Sequence, residues 1–492
     1  MPYMDNSQHR GILRRIAHMA MTEKGLIPDF PAPALAQLDD ILGPAAWDRG
    51  SIRDLRNLPW CSIDNDDSQD LDQLTVAERL PDGSARVRIA IADVDAVVKK
   101  QSALDDYARQ NTSSVYTVAE IFPMLPQKLS EDFTSLKDKS DRIAVVLEMV
   151  LSVNGSIRSS DIYRAMVRNQ AKLAYNSVAE WLEGNGPTPA EMSALDGLDE
   201  NIRLQERMAV KLKAFRHLNG ALDLDTIEVR PVFAGDELMD LEDEGRNRAK
   251  DIIEDFMIAA NGITARFLES KGYPSLRRVV REPKRWDRIV TLAAEHGVSL
   301  PREPDSKVLE QFLVSAKKAD PLRFPDLSLS IVKLLGAGEY AVQIPGSSVA
   351  GHFGLAVKDY AHATAPNRRY PDLITQRLLK SALAGMPAPY GIDELDALAL
   401  HCTRAEDAVK KVERQVAKSA AALLLESRIG EVFDAIVTGA ASKGTWVRLM
   451  RPPVEGRLER GYEGMEVGQR LRVKLVGTDV ERGFIDFERS KD

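Results

Sequence analysis

"CSIDNDDSQDLDQL", residues 61–74, crowds Asp64, Asp66, Asp67, Asp70 and Asp72 into one short stretch. Like charges this close repel, so the run costs stability unless a cation or an exposed position relieves it. A calcium loop of the D-x-[DN]-x-[DN]-G type beginning at Asp64 fails, because Gln69 stands where glycine is needed and Thr75 where the bidentate glutamate is needed. A solvated acidic turn satisfies composition alone. A metal site satisfies more of the pattern. Asp70 and Asp72 flank Leu71, so extended backbone would send both carboxylates to one side and Leu71 towards a core. Asp64 follows the apolar-flanked "WCSI" run, as if a strand end returned to the same place. Three converging carboxylates form the oxygen donor set that Mg²⁺ or Mn²⁺ takes, and phosphoryl chemistry commonly uses such sites.

Outward from this run, the texture divides the chain into three. Residues 1–50 read as a helical module of helix-turn-helix type: Ile12, Leu13, Ile16, Met19 and Ala20 recur at helical spacing, and prolines precede a second periodic run in "PDFPAPALAQLDDIL". Residues 51–428 read as mixed α/β, with "RVRIAIADV" alternating after a "PDGS" turn, and with helices expected near 202–217, 247–271, 306–318 and 393–428. Residues 429–492 carry short strands, "EVFDAIVTG", "GTWVRLM", "VEGRLER", "QRLRVKLVGTDV" and "GFIDFER", with the rhythm of a five-stranded OB-type barrel. The expected class is therefore α+β multidomain.

The 492 residues, 44% of them apolar and 28% charged, suit an ordered globular protein. A net charge of −8 argues against a uniformly cationic nucleic-acid binder but leaves room for a local basic channel. Two cysteines far apart, no leader and no long apolar run point away from a disulfide scaffold or a membrane protein, and a monomer in the cytoplasm is expected.

Phosphodiester chemistry also needs a cation for the charge that develops on phosphorus. "HFGLAVKDYAHATAPNRRYPDLITQRLLK", residues 352–380, sets Arg368 and Arg369 before a helix start marked by Pro371 and Asp372. An arginine at the head of a helix suits a phosphate, although these residues alone favour a structural Arg–Asp pair.

Together the two stretches resemble the RNase II/RNase R (RNB) exoribonuclease family. Its I-D-x-x-x-x-x-D-x-D-D run is matched by "SIDNDDSQDLDQ", and its H-F-G-L and Y-A-H-x-T-S-P-I-R-R-Y-x-D-L segments by "HFGLAVKDYAHATAPNRRYPDL". Further similar stretches, among them "RDLRNLPW", "QAKLAYNSV" and "IIEDFMIAANGITARFL", follow in the family's order over residues 51–428. The resemblance implies a processive 3′→5′ exoribonuclease that uses Mg²⁺, with Mn²⁺ as a substitute, on single-stranded RNA. It implies that Asp64, Asp70, Asp72 and the residue at Gln73 hold the metal, that Asp70, Asp72 and Arg368 are catalytic, and that Tyr116, Tyr175, Glu254, Arg369 and Glu413 meet the substrate. Tyr116 would stack on terminal bases, while Tyr175 and Glu254 would favour ribose. For Tyr116, Tyr175, Glu254 and Glu413 the alternative is core packing or a surface helix pair. The C-terminal barrel resembles an S1 domain, with Phe433, Trp446 and Tyr462 as candidate stacking residues beside Arg448, Arg457 and Arg472.

Three departures stand out. Gln73 replaces the second Asp of the family's pair, Ala365 and Asn367 replace the Ser and Ile beside the arginines, and the N-terminus is too short and too helical for the family's cold-shock-like barrels. Two other readings follow: an RNA-binding module that has lost catalysis through Gln73, and DNA binding by the N-terminal helices.

Overall fold

In the computed structural model, the residues described are 9–490 except 48–49, 51, 226–228, 244, 322, 348–349, 442–443 and 466. The first eight residues of the expected helical module therefore lie outside the description. The strands of the first half are β1 (Arg53–Asp54), β2 (Cys61–Asp64), β3 (Gln73–Arg79), β4 (Ala85–Ala92), the small hairpin β5 (Val115–Tyr116) and β6 (Ile121–Phe122), then β7 (Asp141–Leu151), β8 (Ile157–Arg168) and β9 (Ala171–Ala174). All but the small hairpin join one seven-stranded sheet in the order β1-β8-β7-β4-β3-β2-β9. Its centre is antiparallel, while β1 on β8 and β9 on β2 pair in parallel. The second half of β4 is buried at consecutive residues because both faces of the sheet are covered, which hides the alternation expected of a half-exposed strand.

Helices supply the cover. They are α1 (His9–Glu23), α2 (Ala32–Asp40), α3 (Ala103–Asn111), α4 (Tyr175–Glu183), α5 (Ala190–Ser193), α6 (Leu198–Leu218), α7 (Arg248–Ser270), α8 (Trp286–Glu295), α9 (Ser306–Ala319), α10 (Phe324–Leu335), α11 (Tyr370–Leu383) and α12 (Ile392–Leu425). Helix α6 packs on β3 and on α7, and the sheet and these helices share one core that includes Trp60, Leu74, Ile89, Phe256 and Leu373. Two further two-stranded antiparallel sheets, the hairpin β10 (Val229–Ala234) with β11 (Glu237–Asp243) and the pair β12 (Ser275–Val279) with β13 (Glu339–Gln343), lie outside the main sheet.

The expected helical N-terminus is present, but its helices dock separately: α1 lies along α12 and α2 against α3. They do not form a helix-turn-helix unit. At the other end β14 (Val432–Ala441), β15 (Gly444–Leu449), β16 (Glu455–Arg460), β17 (Arg470–Asp479) and β18 (Phe484–Arg489) close a barrel in the order β14-β15-β16-β18-β17, with Val437, Val447, Leu475 and Phe487 inside. Its strands fall where the turn residues placed them. Among the described residues no helix is long and apolar enough to cross a membrane.

Candidate functional site

Asp64 ends β2, and parallel pairing sets it opposite Ala174, the last residue of β9. The next residue, Tyr175, opens α4, so sheet register alone puts this tyrosine beside the first carboxylate. Residues 65–72 are loop rather than strand, so the expected alternation of Asp70 and Asp72 does not operate. Instead, hydrogen bonds shape the loop. Ser68 Oγ and the Asn65 N–H donate to Asp64 Oδ1 at 3.0 and 2.8 Å. The Leu71 N–H donates to Ser135 Oγ at 3.1 Å, and that hydroxyl donates to the Gln69 carbonyl at 2.7 Å. Leu71 enters the core as expected, while Asp70 faces a cavity and Asp72, 1% exposed, turns inward.

Asp72 meets the second motif there. Its Oδ1 accepts the Asn367 N–H at 3.0 Å and its Oδ2 accepts Arg368 Nε at 3.1 Å. The turn that presents these donors is held from below. Buried Asp372 accepts the N–H groups of Thr364 and Ala365 at 2.8 and 2.9 Å and Arg369 Nη2 at 2.8 Å. Arg369 is thereby a brace for the turn, and it also lines a cavity beside Tyr116. Arg368 differs: its side chain is 43% exposed, and Asp72 is its one ion-pair partner among the described residues. Its remaining N–H groups can therefore face a ligand.

Burial pushes the Asp72 carboxyl up to about 7, with Arg368 opposing and repulsion from Asp70 adding to the rise. Asp70 is raised for the same leading reason, again against Arg368. Burial works against the charge of Arg368, yet Asp72, Tyr116, Asp70 and Asp64 hold its pKa above the ordinary value. The three carboxylates and the guanidinium thus form one electrostatic unit.

A cavity of about 660 Å³ opens on this unit, with Asp70, Tyr116 and Tyr175 in its wall. Tyr116 is 42% exposed, and its hydroxyl donates to Asp70 Oδ2 at 3.3 Å. Glu413 accepts the Tyr116 N–H at 3.0 Å, so this glutamate sets the backbone of the hairpin β5–β6. A smaller cavity of about 310 Å³ lies beyond Tyr116 and is lined by Arg368, Arg369, His362 and Glu413.

Other expected site residues lie elsewhere. Glu254 is paired with Arg246 at 2.9 Å and is absent from both cavity walls. Phe433 is 6% exposed inside the barrel, with Arg428 stacked over its ring, so core packing explains it and stacking on a base does not. Trp446 is half-buried on β15, accommodated by Gly439 and Gly444 and opposite Arg457 in register. Gln73 opens β3, is buried and is absent from both cavity walls. The Asn367 N–H and the acceptor role of Glu413 were not anticipated; each joins segments nearly three hundred residues apart, and no local pattern announces them. The brace at Asp372 is local, within eight residues, and is the structural Arg–Asp pair that the sequence also allowed.

Among the described residues no three acidic, histidine or cysteine side chains stand in a finished metal cage. Mg²⁺ ordinarily takes one or two carboxylates, with water and substrate phosphate completing its shell. Asp70 offers a hard oxygen donor in the wall of a solvent-open cavity, and Asp64, near enough to repel it, is a second; a cation relieves that repulsion. The donor set therefore fits Mg²⁺.

The RNB domain profile matches residues 52–385, and the profile described as the RNase II-type exonuclease C-terminal S1 domain matches residues 431–490. Ribonuclease R of Thermotoga maritima is 30% identical over 491 residues, 92% of this chain and 66% of that protein. Ribonuclease R of Escherichia coli is 31% identical over 452 residues, 87% of this chain and 54% of its own length. The chain thus spans between about half and two thirds of these curated relatives. Among solved structures, Mycoplasma genitalium RNase R in complex with ribose methylated single-stranded RNA superposes with a TM-score of 0.86 at 22% identity, covering 97% of this chain and 78% of that one.

Proposed function

The chain belongs to the RNB-domain family, and from that premise we propose that it is a processive 3′→5′ exoribonuclease that hydrolyses single-stranded RNA to nucleoside 5′-monophosphates with Mg²⁺. The observation that carries the reading is the contact of buried Asp72 with Arg368 Nε and the Asn367 N–H, between the cavity walled by Asp70, Tyr116 and Tyr175 and the smaller one that Arg368 lines. Cytoplasmic location and a monomeric state belong to the same proposal.

In this reading the 3′ end enters the cavity and its terminal bases lie against Tyr116 and Tyr175, whose rings accept any base by stacking. Asp64 and Asp70 would hold Mg²⁺, which would supply a lowered water pKa and charge to offset that of the phosphate. Asp72 orients the attacking water through its carboxylate. Arg368, fixed at Nε by Asp72, directs its open N–H groups at the oxygens where charge develops. Glu413 acts one step removed, by setting Tyr116.

A second reading is favoured by one residue. Gln73 removes a negative charge from the family's metal run, and a chain that had lost turnover would still bind RNA. A 5′-labelled single-stranded RNA and its DNA counterpart, incubated with Mg²⁺ and either the intact protein or Asp72→Asn, separate the two. A ladder that shrinks from the 3′ end on RNA only, and that the substitution abolishes while binding persists, supports the enzyme. Tight binding without shortening under any divalent ion supports the binding module.

A further inference from the structure

The cavity wall carries Asp66, Asp67, Asp70, Glu131 and Glu180, and among its lining residues Arg230 alone is cationic. A polyanionic strand entering such a wall meets repulsion that one metal ion at Asp70 offsets only locally. Arg368 faces the neighbouring cavity and already spends its Nε on Asp72. Lys172, close by, is engaged with the Asp66 carbonyl at 3.1 Å. Arg246, on the segment that follows β11, is taken by Asp223, Asp251 and Glu254. Arg230 is exposed and has no ion-pair partner among the described residues, although Glu242 stands opposite it in the hairpin register.

The hairpin β10–β11 explains how an arginine comes to overlook the cavity. Its turn end is fixed to α1: the Arg10 N–H donates to the Asp236 carbonyl at 3.1 Å, the Leu238 N–H donates to His9 Nδ1 at 3.2 Å, and the Arg10 guanidinium lies 4.3 Å over Phe233. A register shift between Val232 and Phe233 separates this anchored end from the end that bears Arg230, and such bulges re-aim side chains. The anchored end holds the strand in place, and the exposed Arg230 side chain is not consumed by an ion-pair partner among the described residues.

We propose that Arg230 binds a backbone phosphate of the RNA strand lying in this cavity, and that the β10–β11 hairpin serves as the arm that holds it there. The inference rests on the functional reading given above. Its ligand is the sugar–phosphate backbone, so the contact is independent of base sequence.

Fluorescence anisotropy with the full chain carrying Asp72→Asn, a labelled single-stranded oligoadenylate RNA and a series of NaCl concentrations tests it. Replacing one phosphate contact lowers the slope of log K against log salt by about 0.7 for a single strand. Arg230→Ala and Arg230→Gln are expected to weaken binding and to reduce the slope by about that amount, with Arg230→Lys keeping the parent slope. Parent binding with an unchanged slope in Arg230→Ala overturns the role of Arg230 alone. Absence of binding by the parent overturns the functional reading and this inference with it.

Discussion

At Asp72 burial and repulsion from Asp70 outweigh Arg368, and the carboxyl is pushed from the ordinary 3.8 up to about 7. A raised carboxyl is one whose charged form the fold disfavours, so its cost is absent below pH 4, grows as the pH rises and is complete above pH 7. At about 1.4 kcal/mol for each pH unit, the cost reaches at most about 4 kcal/mol. In EDTA, Asp72→Asn is therefore expected to raise the melting temperature at pH 8 and to leave it unchanged at pH 4; an equal effect at both would show that the site stores no such strain. Gln73 sits beside this pressure. An amide oxygen can ligate Mg²⁺ but brings no charge, so Gln73→Asp is expected to shift the Mg²⁺ activation curve to lower concentration, and an unchanged curve would place residue 73 outside the metal's reach. The acids and Arg368 were legible in sequence because a run of like charge and an arginine before a helix are unusual at low cost to detect. Arg230 was not, since a lone arginine in a strand carries no signal until the cavity around it is seen.

The element scale explains what the residues alone could not. The hairpin β5–β6 is fixed on several sides: Glu413 of α12 accepts the Tyr116 N–H, the Ser114 N–H donates to the Arg368 carbonyl at 3.0 Å, and His18 of α1 reaches Glu120 at 3.3 Å. The hairpin that carries Tyr116 and the turn that carries Arg368 are thus tied to each other and to α1 and α12. If Glu413 acts through this hydrogen bond, its charge is dispensable and its oxygen is not. Glu413→Gln, which keeps an acceptor, is expected to retain KM and kcat, while Glu413→Ala is expected to raise KM about fivefold, the equivalent of about 1 kcal/mol, with a smaller change in kcat. Equal damage by both would restore the direct substrate contact that family resemblance implies. Long helices were legible from periodicity, and α12 closes near Gly430 as expected. The separate docking of α1 and α2 was not, because an apolar stripe states that a helix is covered and not by what.

Across the whole molecule, the barrel sits between two supports. Arg448 makes a two-pronged bond to buried Asp326 of α10, at 2.7 and 3.2 Å, and so is bound within the protein and not free for RNA. On the other side, Glu481 takes Arg15 of α1, and its carbonyl accepts Gln415 Nε2 of α12 at 3.1 Å. Between these contacts the turn before β18 presses directly on α12. At Gly483, φ is +65°, and a Cβ would stand 2.6 Å from Lys418 Cβ and 3.0 Å from the Ser419 nitrogen. Backbone of this kind costs a non-glycine residue about 1–2 kcal/mol by itself, so the clash must be separated from the strain. Gly464 provides the control: it lies in the same barrel at φ +69° with nothing within 4 Å of a Cβ. Gly464→Ala and Gly483→Ala are expected to lose similar barrel stability, but only Gly483→Ala should unseat the barrel from α12. Small-angle scattering would then show a larger radius of gyration for Gly483→Ala alone. On the functional reading above, its affinity for long single-stranded RNA would fall while hydrolysis of a short oligonucleotide, confined to the cavity at Asp70, persists. An unchanged radius in Gly483→Ala would mean that α12 yields at Lys418, and that Arg448 and Arg15 suffice to hold the barrel over the strand's path.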